Sequence, residues 1–162
     1  MVMLRVGFGY DVHRLIAGLP LVLGGVNVPF EKGLAGHSDA DVLVHAIMDA
    51  LLGAAGAGDI GRHFPSTDPC YKEISSLLLL ERVGQILSKQ GLAVGNIDSV
   101  IVAQAPRLAG YFPLMERQIA NVLAINESQV SVKATTTEGL GFTGSGEGIA
   151  AYAVVFITVT TG

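Results

Sequence analysis

Asp11 and His13 are separated by one residue near the start of a segment with extended character. Residues i and i+2 of a strand share a face, so both polar side chains project together. A carboxylate beside an imidazole suits a borderline divalent metal such as zinc; a solvated strand end is the alternative. A second polar group, His37-Ser38-Asp39-Ala40-Asp41, runs into a helical pattern that carries His45. His45 stands among apolar residues but off the stripe of Leu43 and Ile47, with Asp41 one turn before it and Asp49 one turn after. It is either a satisfied, partly buried histidine or a third ligand. With Asp11 and His13 it makes a three-ligand set, which leaves the open fourth position of a catalytic zinc. Asp49 is then a candidate to orient His45, or else a charge on the helix surface. His37 and Ser38 sit at the helix start, where free N–H groups and the helix dipole favour a phosphate. Ser38 also reads as the N-cap.

A third group lies in Lys133-Ala134-Thr135-Thr136-Thr137-Glu138-Gly139 and the glycines that follow. Threonine hydroxyls and backbone donors suit a polyanion, and Glu138 suits a harder cation such as Mg²⁺. No Gly-Lys-Ser/Thr sequence follows at P-loop spacing, and a Thr-rich strand alone is the competing reading. Arg62 and His63 read as surface residues. Cys70 has no nucleophilic partner pattern and reads as a small apolar residue.

The elements that must position these groups follow from periodicity. Residues 3–13 read as extended, and Leu21–Leu23 with Val26–Val28 flank Gly24-Gly25 as a hairpin. Helical stripes cover 39–53, 73–90 (closed by Gly91) and 113–124; strands are expected at Ser99–Gln104, Val130–Thr136 and Gly148–Thr160. Residues 58–69 read as a loop. Strands interleaved with helices predict an α/β (α+β sandwich) fold, one mixed sheet packed against helices, over a single domain, 1–162.

Hydrophobic residues make up 50% of the 162 and charged residues 15%, which supports one sizeable core and excludes intrinsic disorder. A net charge of -4 without a basic stretch argues against nucleic acid as a partner. The 21 glycines exceed the roughly 11 expected at about 7% usage, and they cluster with Asp, His, Ser and Thr in short loops, as in a ligand-binding enzyme. No apolar run approaches the ~20 residues of a membrane span, and the start is neither a signal nor a transit peptide. One cysteine rules out an internal disulfide; a cytoplasmic location is the expectation.

GYDVHR (9–14), EKGLAGHSDADVLVHAIMDALLGAAGAGDIGRHFPSTDP (31–69), AQAP (103–106), VKATTTEGLGF (132–142) and GFTGSGEGIA (141–150) together resemble the 2-C-methyl-D-erythritol 2,4-cyclodiphosphate synthases of the non-mevalonate isoprenoid pathway. The likeness runs nearly end to end. It implies zinc on Asp11, His13 and His45, and Mg²⁺ or Mn²⁺ held by Glu138 between the two phosphates of the substrate diphosphate. His37 and Ser38 are implied at the erythritol phosphate end, with Asp59, Ile60, Gly61, Phe64 and Asp68 nearby. Ala103, Pro106, Arg107, Leu108 and Ala109, with Lys133, Thr135 and Thr136, correspond to the cytidine pocket, and Asp11, His13, Thr137, Glu138 and Phe142 are further implied substrate contacts. His37 and Thr136 are the implied catalytic pair.

The implied reaction is intramolecular. The 2-phosphate of 4-diphosphocytidyl-2-C-methyl-D-erythritol 2-phosphate attacks the β-phosphorus, expels CMP and closes a cyclic diphosphate. The resemblance also implies a homotrimer with its sheets around a central axis and active sites between subunits. Three positions depart from the family pattern: Ser66 where Asp is common, Ser145 where Arg or Lys is common, and Arg107 where Lys is frequent. Ser145 removes the basic residue that helps relatives hold an isoprenoid diphosphate in a cavity on that axis. Competing functions are a metal-dependent phosphohydrolase, which would release a linear product, and a nucleotide-binding protein without turnover.

Overall fold

The structure, a computed structural model, describes residues 3–159. The first strand, β1 (Leu4–Ala17), continues past His13 because β4 (Lys32–Leu34), a short edge strand absent from the periodicity, pairs with its last turn-ward residues. Between them, β2 (Leu21–Leu23) and β3 (Val26–Val28) form the expected hairpin on Gly24 and Gly25, whose φ of 59° and 75° suit a tight two-residue turn. The main sheet has the order β4-β1-β7-β5-β6, with β5 at Leu92–Val102, β6 at Val130–Thr135 and β7 at Gly148–Val159. Its pairings are antiparallel except β5 with β6.

Several strand boundaries differ from expectation: β1 runs on to Ala17, and β6 closes at Thr135 rather than Thr136. β5 begins at Leu92 rather than Ser99, because Gly95 and a register shift between Val94 and Asn96 interrupt the apolar pattern. It stops at Val102, short of Gln104. β7 is described through Val159, and the expected last residue, Thr160, lies outside the described residues.

Helices α1 (Val42–Ala55), α3 (Ser76–Lys89) and α4 (Phe112–Leu123) cover one face of the sheet, as the α/β reading requires. Two short helices are added: α2 (Ile60–His63), inside the stretch expected as a loop, and α5 (Gly141–Gly144). In α1, 12 of 14 residues are buried, so the single stripe read from sequence is in fact an all-round apolar helix between the sheet and α3. Ala40 has φ 56°, a left-handed conformation that the helix cannot include. The N-cap is therefore Asp41, not Ser38, and its carboxylate accepts the Val44 N–H at 3.1 Å. The same carboxylate accepts the N–H groups of Gly24 (3.0 Å) and Gly25 (2.7 Å), tying the hairpin to α1. Burial and the charge of Asp39 raise the Asp41 carboxyl to about 6, against the pull of those three donors.

The inward side of β1 carries Gly7, Gly9, Asp11 and His13 in alternation. A Cβ on Gly7 would lie 1.8 Å from the Ala50 carbonyl oxygen, and one on Gly9 would lie 1.9 Å from that of Ala46. Glycine thus lets the strand backbone rest directly on α1, and the next two inward residues arrive beside His45. The outward side is apolar and open: Val6 is 66% exposed, Phe8 63% and Val154 46%, with the Tyr10 and Tyr152 rings tilted against each other at a centroid distance of 4.9 Å. No helix among the described residues is long and apolar enough to cross a membrane.

Candidate active site

Asp11 and His13 reach inward from β1, and His45 meets them from the first turn of α1. Asp11 Oδ2 lies 2.9 Å from His13 Nε2 and 3.0 Å from His45 Nδ1, and the two ring nitrogens are 3.1 Å apart. Their far nitrogens are committed elsewhere. His13 Nδ1 lies 2.9 Å from the Ala35 carbonyl oxygen, which can only accept, so it carries a proton there. The neutral His13 ring then turns a bare Nε2 toward the Asp11 carboxylate. Lone pairs converging at about 3 Å repel unless a cation lies between them, so the donor set fits a metal ion. A proton serves the same purpose in the metal-free chain. Burial opposes ionisation of Asp11, but the hydrogen bond and the charge of a protonated His13 hold its carboxyl well below the usual range. Burial likewise opposes the charged form of His13, yet its bond to Asp11 and the carboxylate's charge raise its pKa above 6.5.

The site opens into a cavity of ≈ 250 Å³ that also includes His37, Ser38, Ile60, Gly61 and Phe64, all expected near the substrate. Ser66, Tyr71 and Leu79 complete its wall; Tyr71 and Leu79 had no signal beyond ordinary apolar spacing. His37 Nε2–H donates to the Asp68 carbonyl at 3.1 Å, which fixes its ring. The Asp68 side chain accepts from Cys70 N–H, and that of Asp59 caps α2 through Arg62 N–H. Asp49 does not orient His45: its carboxylate accepts the Ile60 N–H at 2.8 Å and holds the α2 turn. The groups behind His45 are instead Ser76 and Ser38, at 2.9 and 3.1 Å from Nε2.

Two further corrections concern the surface readings. His63 is half-buried, and its Nε2–H donates to the Ala57 carbonyl at 2.7 Å. Cys70 is exposed at a turn rather than packed.

A second cleft, ≈ 470 Å³, is lined by Ala103, Pro106, Arg107, Leu108, Ala109, Thr135 and Thr136, with Gln104, Ala105, Phe112 and Ala134. Lys133 is not in its wall; it faces the outer side of the sheet and pairs with Asp98. Thr136 Oγ1 accepts the Glu138 N–H at 3.2 Å, leaving its hydroxyl proton to donate. Glu138 is exposed with φ 53°, at a turn pinned by Gln104 Oε1, which accepts the Gly139 N–H at 3.1 Å. Thr137 and Phe142 line a separate hollow beside Tyr10 and Tyr152. The two main clefts share no lining residue. Within one chain, the metal-ligand set and the Thr136 region belong to different openings.

Among known proteins, the model of the YgbB family matches residues 4–158. A 2-C-methyl-D-erythritol 2,4-cyclodiphosphate synthase of Pelotomaculum thermopropionicum is 70% identical over 157 residues, 97% of each chain. Bifunctional IspDF from Campylobacter jejuni superposes with TM-score 0.95 and 41% identity, over 98% of this chain and 43% of that one. This chain therefore spans less than half of that bifunctional protein. IspF from Plasmodium falciparum, solved as a CDP complex, gives TM-score 0.86 and 33% identity over 98% and 97%.

Proposed function

The chain belongs to the YgbB family, and from that membership we propose that it converts 4-diphosphocytidyl-2-C-methyl-D-erythritol 2-phosphate to 2-C-methyl-D-erythritol 2,4-cyclodiphosphate and CMP. The observation that carries the proposal is the convergence of Asp11, His13 and His45 at the mouth of a cavity, in a chain 70% identical to a synthase of that name.

The 2-phosphate oxygen attacks the β-phosphorus, the bond from β-phosphorus to the bridging oxygen breaks, and CMP departs with that oxygen. The nucleophile is already an anion near neutral pH, so alignment and charge neutralisation are the protein's tasks. Asp11, His13 and His45 would hold a zinc ion, which would supply Lewis-acid polarisation of a phosphoryl oxygen, and Glu138 would hold Mg²⁺ or Mn²⁺, which would offset diphosphate charge. His37, its Nε2–H held on the Asp68 carbonyl, would donate to the transferring phosphate from Nδ1 as the imidazolium, and Ser38 beside it positions the erythritol phosphate. Thr136 has a hydroxyl proton free to donate to the same phosphate. The cleft at Ala103–Ala109 takes the cytidine end, and Arg107 supplies its positive charge.

Because the two clefts share no residue, the reading requires a second copy of the chain to join them. A homotrimer packed through the outer sheet face does this, and the exposed Val6, Phe8 and Val154 on that face support it. The test is His45→Ala. Zinc retention and formation of the cyclic product are expected to disappear together; an active, zinc-free variant overturns the assignment.

A further inference from the structure

Behind the metal-ligand set lies a chain of hydrogen bonds that joins two distant segments. Asp39, in the loop before α1, accepts at Oδ1 from the Ser76 hydroxyl at 2.5 Å and at Oδ2 from the Ser76 N–H at 3.0 Å. Ser76 is fully buried at the first turn of α3, where Ser75 makes no side-chain cap bond, so Asp39 serves as the cap from another segment. Ser76 Oγ in turn lies 2.9 Å from His45 Nε2.

The direction of the protons along this chain follows from what each atom can do. An ionised carboxylate only accepts, so the Ser76 hydroxyl proton belongs to Asp39. Ser76 then turns a lone pair to His45 Nε2, which must carry the imidazole proton. Nδ1 is left bare, and it is Nδ1 that faces Asp11 and His13. Ser38 Oγ also reaches Nε2, at 3.1 Å, but its hydroxyl rotates freely and is able to donate instead of accept. That alternative would move the imidazole proton to Nδ1, where it would occupy the metal position.

We propose that Ser76 and Asp39 are positioning residues that hold His45 as its Nε2–H tautomer and so keep Nδ1 free for the metal. The proposal rests on the metal reading of Asp11, His13 and His45 and adds two residues to it. Outer hydrogen-bond partners of a ligating histidine typically matter 10–100-fold in metal affinity, and a reduction of roughly that size is expected for Ser76→Ala.

The experiment combines zinc competition against a chelator with ¹⁵N shifts of the histidine rings in the zinc-free protein. Wild type is expected to bind zinc and to show His45 protonated at Nε2. Ser76→Ala and Asp39→Asn are expected to weaken zinc binding and move the proton toward Nδ1. Wild-type affinity in Ser76→Ala, or a wild-type His45 protonated at Nδ1, overturns the proposal. So does weaker binding with an unchanged tautomer, because Ser76 then acts only through packing. Failure of the wild-type chain itself to bind zinc overturns the metal reading instead.

Discussion

Gly9→Ala tests how the metal ligands are brought together. The added Cβ would sit 1.9 Å from the Ala46 carbonyl oxygen, against 3.4 Å for ordinary contact, a deficit of about 1.5 Å. Neither atom belongs to a flexible side chain, so β1 and α1 must separate locally. Asp11 is the next inward residue on β1, only ~6.6 Å along the strand at about 3.3 Å per residue, and His45 adjoins Ala46 on α1. Zinc sites hold ligand distances to within about 0.2 Å, so an opening of this size exceeds the tolerance several-fold. Zinc affinity is expected to fall by ~100-fold or more, at the upper end of what loss of an outer partner does. Overpacking adds a loss of stability of about 1–3 kcal/mol. The control is Gly53→Ala, an exposed position within the same helix where a Cβ meets nothing within 4 Å. It should stabilise the protein by about 0.5–1 kcal/mol and leave zinc binding alone. Zinc competition and thermal unfolding on both variants decide the matter. A Gly9→Ala protein with wild-type zinc affinity and melting temperature refutes the idea that close backbone approach sets the site.

Three other outcomes are expected. Phe8→Asp places a charge on the outer sheet face while Asp11 and His13 point the other way; sedimentation should show loss of the trimer with zinc stoichiometry kept, and a monomeric wild type contradicts the assembly. The raised pKa of buried Asp41 means that the folded state binds a proton there between about pH 4 and 6, so this group's contribution falls as pH rises through that window. Relative to Asp41→Asn, the chelator-treated wild type should lose up to about 3 kcal/mol across it in urea titrations; a constant difference contradicts this. Because the pKa of His13 is raised, protons compete with zinc from above pH 6.5 downward, and affinity should drop roughly tenfold per pH unit for that one proton; a flat profile between pH 5.5 and 7 refutes the ligand role.

Two simple periods made the candidate metal-binding set legible, although each residue alone had a second reading. Asp11 and His13 share a face through the strand period of two, and His45 stands out as a polar residue in an apolar helix. What stayed hidden depended on backbone shape or on partners far along the chain. Ser38 and Asp41 are both good caps, and only the left-handed turn at Ala40 decides between them. Asp49 has helical spacing to His45, yet a loop N–H that no periodicity locates claims it. The link from Asp39 to Ser76 spans 37 positions and leaves no local pattern. Gly7 and Gly9 carry no side-chain signal in the sequence, yet they fix the separation of β1 and α1. Strand β5 was cut short by Gly95 and Asn96, which interrupt an apolar run without ending the pairing. The cytidine-side residues came from resemblance, and no local pattern in the sequence pairs Lys133 on β6 with Asp98 on β5.

The most direct test of the whole account is a product determination. The purified protein, loaded with Zn²⁺ and Mg²⁺, is incubated with 4-diphosphocytidyl-2-C-methyl-D-erythritol 2-phosphate, and the products are identified by mass. 2-C-methyl-D-erythritol 2,4-cyclodiphosphate and CMP are expected in equal amounts. A linear phosphate product, one water heavier than the cyclic diphosphate, or no conversion by the metal-loaded protein, contradicts this.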